Sequence, residues 1–134
     1  MTGTKKHKPL IWDIYNADVF FEDKIEKKTR PVLVIDEVNN ICLSLKITHN
    51  TKRNGIDEYT IVEWKEAGLD TKSNVRISKL IPLDNKYLND KRGVLQPNDR
   101  KALIEKIETY LILNNAKYTL NLLKKMKKNI DKNK

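Results

Sequence analysis

The chain has 134 residues, 39% of them apolar, which is enough for one compact domain with a single core and hardly enough for two. Its 27 lysines and arginines against 18 acidic residues give a net charge of +9, so the surface should attract polyanions such as nucleic acid or an acidic partner, although a lysine-rich genome would produce the same balance. The lone Cys42 excludes an internal disulfide framework and suits a reducing cytoplasm, and no apolar run approaches membrane-spanning length; a cytoplasmic protein without a membrane partner is expected.

A basic arm over residues 1–9 precedes the first organised segment. Residues 10–21 carry the β-formers Ile11, Trp12, Ile14, Tyr15, Val19 and Phe20, broken by Asp13, Asn16 and Asp18, and predict a bent strand. Residues 22–29 hold one apolar side chain, Ile25, among charges, and read as a solvated loop of the kind that often closes over a site. Pro31 has no N–H to give and suits the start of a strand, after which Val32-Leu33-Val34-Ile35 can be buried on both faces. A turn follows at Asp36-Glu37-Val38-Asn39-Asn40.

The next strand alternates cleanly. Ile41, Leu43, Leu45 and Ile47 share one face, while Cys42, Ser44, Lys46 and Thr48 share the more polar other. Residues 49–55 form a polar loop and residues 59–64 another strand. Residues 63–67 predict a short helical turn stopped by Gly68, which tolerates the left-handed conformation of a helix end. Residues 75–83 predict a last strand, with a bulge near Lys79 where the alternation fails. Helical spacing begins after Pro97 with Leu103, Ile107, Tyr110 and Leu111, and Asn114-Asn115 interrupts it before a second, lysine-rich amphipathic stretch. Strands first and helices last predict a mostly β fold, a small antiparallel barrel with appended helices, as a single domain over residues 1–134 with a basic helical extension over 115–134.

If residues 30–35 and 41–48 form a hairpin, Arg30 and Thr48 return to one end of the sheet, a cationic fork beside a hydroxyl that together can hold a phosphate. Each has an ordinary alternative. Arg30 can be a strand-start cation paired with Glu22 or Asp23, and Thr48 a β-former at a strand end. Cys, His and carboxylate residues show no metal-ligand spacing, and Gly3, Gly55, Gly68 and Gly93 make no phosphate loop, so no metal and no cofactor is expected.

Four stretches resemble the PemK/MazF toxins of bacterial toxin–antitoxin pairs. These are Asp13-Ile14-Tyr15-Asn16-Ala17-Asp18, Thr29-Arg30-Pro31-Val32-Leu33-Val34-Ile35, Leu45-Lys46-Ile47-Thr48, and Val75-Arg76-Ile77-Ser78-Lys79-Leu80-Ile81-Pro82-Leu83-Asp84. Their order and spacing match the family's strands from its opening Gly-Asp-Ile to its closing strand. Trp12 stands at the usual glycine, His49 where a serine usually follows the threonine, and Ser78 where one branch has a catalytic aspartate. The resemblance implies an SH3-like barrel, a homodimer, and an acidic antitoxin encoded alongside. It also implies sequence-selective, metal-independent cleavage of single-stranded mRNA through 2'-hydroxyl attack, leaving 2',3'-cyclic phosphate and 5'-hydroxyl ends.

On that resemblance, Arg30 would stabilise charge on the phosphoryl oxygens and Thr48 would donate to the phosphate or orient the 2'-hydroxyl. Arg76, His49, Lys46, Ser78 and Lys28 are expected as RNA contacts. The structural alternative for Arg76 is an ion pair, and for His49 simple solvation. Trp12 and Trp64 can stack on bases but are expected in the core. A non-catalytic barrel gripping RNA or protein is the competing function; a gyrase poison fits less well, because the chain ends Asn129-Ile130-Asp131-Lys132-Asn133-Lys134 without an aromatic residue.

Overall fold

The structure is a computed structural model that describes residues 8–20 and 27–129. The loop expected over the site lies mostly outside the described residues, as do the first seven residues of the basic arm. Strands β1 (Asp13–Phe20), β2 (Lys27–Val38), β3 (Ile41–Thr48), β4 (Glu58–Thr60), β5 (Asn74–Asp84) and β6 (Leu88–Val94) precede one helix, α1 (Pro97–Asn129). They form a single antiparallel sheet in the order β4-β5-β3-β2-β1-β6.

The hairpin between β2 and β3 is tighter than the sequence suggested. Both strands run to the edge of a two-residue turn at Asn39 and Asn40, whose φ angles of 51° and 67° are the left-handed values that match the twist of paired strands. Asparagine tolerates this conformation better than other non-glycine residues. A bulge at Ile35 shifts the pairing by one residue beyond the turn, so that Val32 stands opposite Lys46 and Arg30 runs out at the same end as Thr48. Between β3 and β5 the pairing slips after Leu45↔Leu80 to Lys46↔Arg76, leaving Ile77, Ser78 and Lys79 as the expected bulge.

Both faces of the sheet are buried over part of their area, which explains the unbroken apolar run in β2. Ile14, Leu33, Leu45, Ile47 and Val75 pack under α1 with Leu95 and Leu103. Val32, Val34, Ala17, Val19, Cys42, Leu83 and Leu88 make a second cluster on the opposite face. The polar face of β3 is therefore covered at one end, at Cys42 and Ser44, and opens only at Lys46 and Thr48.

Two elements differ from expectation. β6 was not anticipated, because Leu-Asn-Asp-Lys-Arg-Gly-Val has no apolar alternation; it is an edge strand, where charged residues discourage pairing with other chains. The two expected helices are one, 33 residues long. Asn114 does not break it: its Nδ2 donates to the carbonyl of Tyr110 at 2.8 Å, and an asparagine costs a helix only about 0.6 kcal/mol against the strong formers around it.

The turn expected before Gly68 is present as a single turn. The Leu69 amide donates to Trp64 O at 3.0 Å and the Gly68 amide to Lys65 O at 3.1 Å, the paired bonds of a glycine-terminated helix end, with Gly68 at φ 90°. The segment is anchored by Asp99 of α1, 1% exposed, which accepts from the Tyr59 hydroxyl at 2.5 Å and from the Val62 and Glu63 amides at 2.9 Å each. Trp12 and Trp64 are half-buried against the first cluster, as expected. At the position of the usual family glycine, Trp12 adopts φ 80°, with the Arg100 guanidinium 5.8 Å from its ring centroid.

Candidate active site

Where β2 and β3 run out together, the sheet opens into a cleft of about 370 Å³. Arg30, Lys46, Thr48, His49 and Arg76 all line it, so five of the residues expected from sequence converge there. Arg30 is exposed and its Cα faces Ala17 of β1; Thr48 ends β3 opposite Asn74 of β5. The pairing of Arg30 with Glu22 or Asp23 falls on residues outside those described.

Thr48 is held in a defined way. The Asn50 amide donates to its Oγ1 at 3.2 Å, closing a small local turn that uses an acceptor lone pair and leaves the O–H able to donate. Branching at Cβ further restricts the hydroxyl. Arg76 takes the structural role considered for it: its Nε donates to Glu58 Oε2 at 3.2 Å, and Glu58 also receives Asn74 Nδ2 at 3.4 Å. Arg76 nonetheless remains in the cleft wall.

The other two expected contacts lie elsewhere. Ser78 donates to Asp57 Oδ2 at 2.7 Å, a bond that holds the Asp57 carboxyl below its ordinary range, and lines an adjoining groove of about 530 Å³. That groove meets the cleft at Val19 and Lys46, which line both. Lys28 is exposed, opposite Val19, and does not line the cleft.

Two charged residues in the cleft were not anticipated, Arg92 of β6 and Asp70 of the β4–β5 connection. Arg92 donates its Nε to Gly68 O at 3.2 Å and its Nη1 to Asn16 Oδ1 at 3.4 Å, while its Nη2 meets Asp70 Oδ2 at 2.9 Å. Two glycines make this possible. A Cβ at Gly68 would lie 2.0 Å from Arg92 O, and one at Gly93 would lie 2.2 Å from Ala67 O, so the two backbones touch only without side chains. Those glycines were the available sequence signal, but nothing local says which segments they join.

Four cations and one carboxylate thus surround an open, half-apolar cleft, an arrangement suited to an extended phosphodiester. The chain belongs to the PemK-like, MazF-like toxins of type II toxin–antitoxin systems, whose family profile matches residues 11–111. The fold is similar to that of an endoribonuclease solved in complex with its cognate antitoxin from a mycobacterial species, with a TM-score of 0.59, 19% identity, and coverage of 79% of this chain and 93% of that one. It is also similar to the Mycobacterium tuberculosis toxin MazF-mt6, with a TM-score of 0.60, 22% identity, and coverage of 72% and 93%. No curated protein matches the chain in sequence.

Proposed function

We propose that this toxin is an endoribonuclease that cuts single-stranded mRNA at selected sequences, using the substrate's own 2'-hydroxyl as nucleophile and no metal. The observation that carries the reading is the convergence of Arg30 and Thr48 on one open cleft. Arg30, a planar fork of donors on an exposed strand end, stabilises charge that builds on the phosphoryl oxygens during attack. Thr48 donates its hydroxyl to the phosphate or orients the 2'-hydroxyl for in-line displacement. Lys46, His49, Arg76, Ser78 and Lys28 serve as contacts to the flanking RNA.

The products are a 2',3'-cyclic phosphate and a 5'-hydroxyl. An acidic antitoxin restrains the enzyme, a role supported by the mycobacterial relative solved with its own antitoxin, and the toxin acts as a cytoplasmic homodimer. Incubation with a long single-stranded RNA in EDTA yields discrete fragments with 5'-hydroxyl ends, and Arg30→Ala abolishes them. Intact RNA retarded on a gel would instead identify a non-catalytic binding module.

A further inference from the structure

In-line cleavage needs a group to take the 2'-hydroxyl proton and another to supply one to the departing 5'-oxygen. Neither an arginine nor a threonine does this readily, because a guanidinium holds its protons at any working pH and an alcohol is a poor base. The closing strand puts no carboxylate into the cleft either: Ser78 points to Asp57, and Ser78 and Asp84 line the neighbouring groove. Among the described residues lining the cleft there is nevertheless one carboxylate, Asp70, and one imidazole, His49.

They reach the cleft wall from different segments of the chain. His49 follows Thr48 at the end of β3, on one side of β2 and Arg30. Asp70 belongs to the β4–β5 connection and is tied through Arg92 to β6. Both residues share with Arg30 the cleft in which a phosphate would sit, a carboxylate able to accept a proton and an imidazole able to carry one. Asp70 is 88% exposed yet not left to wander: Arg92 Nη2 holds one carboxylate oxygen at 2.9 Å, and Arg92 is itself anchored to Gly68 O and Asn16 Oδ1. The second oxygen can face substrate.

Resting on the nuclease reading above, we infer that Asp70 is the general base and His49 the general acid of RNA cleavage, with Arg92 as the residue that positions Asp70. The Asp70 carboxylate takes the 2'-hydroxyl proton as the 2'-oxygen bonds to phosphorus. The bond from phosphorus to the 5'-oxygen breaks, and the imidazolium of His49 gives that oxygen its proton. Exchange with water then returns both side chains to their starting states.

The test compares an ordinary oligoribonucleotide with one carrying sulfur in place of the 5'-bridging oxygen at the cleaved linkage, whose thiolate leaves without a proton. On ordinary RNA, Asp70→Ala and His49→Ala each slow single-turnover cleavage by about 10²- to 10⁴-fold, the contribution of a positioned acid or base. On the sulfur substrate His49→Ala returns to within a few-fold of the unmodified protein, whereas Asp70→Ala stays slow and recovers when formate is added. Arg92→Gln, by freeing Asp70, slows both substrates alike and lowers the rate at saturating RNA more than it weakens binding.

Variants at Asp70 or His49 that cut ordinary RNA at the unmodified rate would overturn the assignment, as would equal losses on both substrates for His49→Ala. Failure of the unmodified protein to cut either substrate would instead overturn the nuclease reading itself.

Discussion

Arg76 and Glu58 face each other directly across the β4–β5 ladder, with Arg76 Nε 3.2 Å from Glu58 Oε2 and the Glu58 side chain only 4% exposed. The pair closes the shortest strand of the sheet onto β5 at the point where β5 also supplies a wall of the cleft.

This geometry separates the structural from the electrostatic part of Arg76. Arg76→Ala strands a buried carboxylate and should cost about 3 kcal/mol, at the low end for a broken buried pair because the arginine is partly solvated. Glu58→Gln, which keeps the bond from Arg76 Nε without the charge but turns its NH2 towards Asn74 Nδ2, should cost about 1–2 kcal/mol. Urea unfolding of the two variants measures the difference.

The hydroxyl of Thr48 is the part of that residue expected to matter for cleavage. Thr48→Val preserves the shape of the side chain and removes the O–H, so single-turnover cleavage should fall by about 10²-fold or more, as for loss of an oriented donor. Thr48→Ser keeps the donor but loosens it and should remain within about tenfold. Both variants should bind RNA nearly as well as the unmodified protein, measured by gel retardation.

Gly68 links the fold to the cleft. Gly68→Ala forces a side chain into left-handed backbone at φ 90° and onto a carbonyl 2.0 Å away, while that carbonyl belongs to Arg92. The expected cost is about 2–3 kcal/mol, together with slower cleavage as Arg92 is displaced. Gly55→Ala is the control, because its new Cβ meets only the end of the Asp57 side chain and should change stability by less than about 0.5 kcal/mol. Thermal melts and cleavage rates of the two variants check both statements.

Alkaline pH should weaken the fold. Burial first, and the Glu37 carboxylate second, push the Cys42 thiol from 9.0 to about 11, and Cys42 Sγ donates to Asn85 Oδ1 at 3.0 Å. Burial and the bond to Asp99 likewise raise Tyr59. A raised folded value means that the unfolded chain loses its proton first, so the contribution is intact below pH 9.0 and is lost as pH rises towards about 11. Urea midpoints in reductant should fall across that window, and Cys42→Ala should flatten the slope.

Side-chain period is a local property, and what depended on it was legible. The alternation over β3 placed Thr48 on the polar face, the apolar run in β2 announced burial on two sides, and the failure of alternation near Lys79 located the bulge. Gly68 marked the end of its turn. Local pattern failed at β6, whose polar residues suit an edge but carry no period, and at Asn114, where a weak helix breaker was outweighed by its neighbours.

The return of Arg30 and Thr48 to one end of the sheet could be argued from a hairpin, but their register rests on a one-residue bulge at Ile35 that the turn does not set. The arrival of Arg92 and Asp70 could not. It depends on Gly68 touching the backbone of Arg92, 24 residues further on, and of Gly93, and on an edge strand pairing with β1, contacts set by packing after the chain has folded. Close approach of distant backbones leaves no repeating mark along the chain, so the carboxylate in the cleft came into view only in three dimensions.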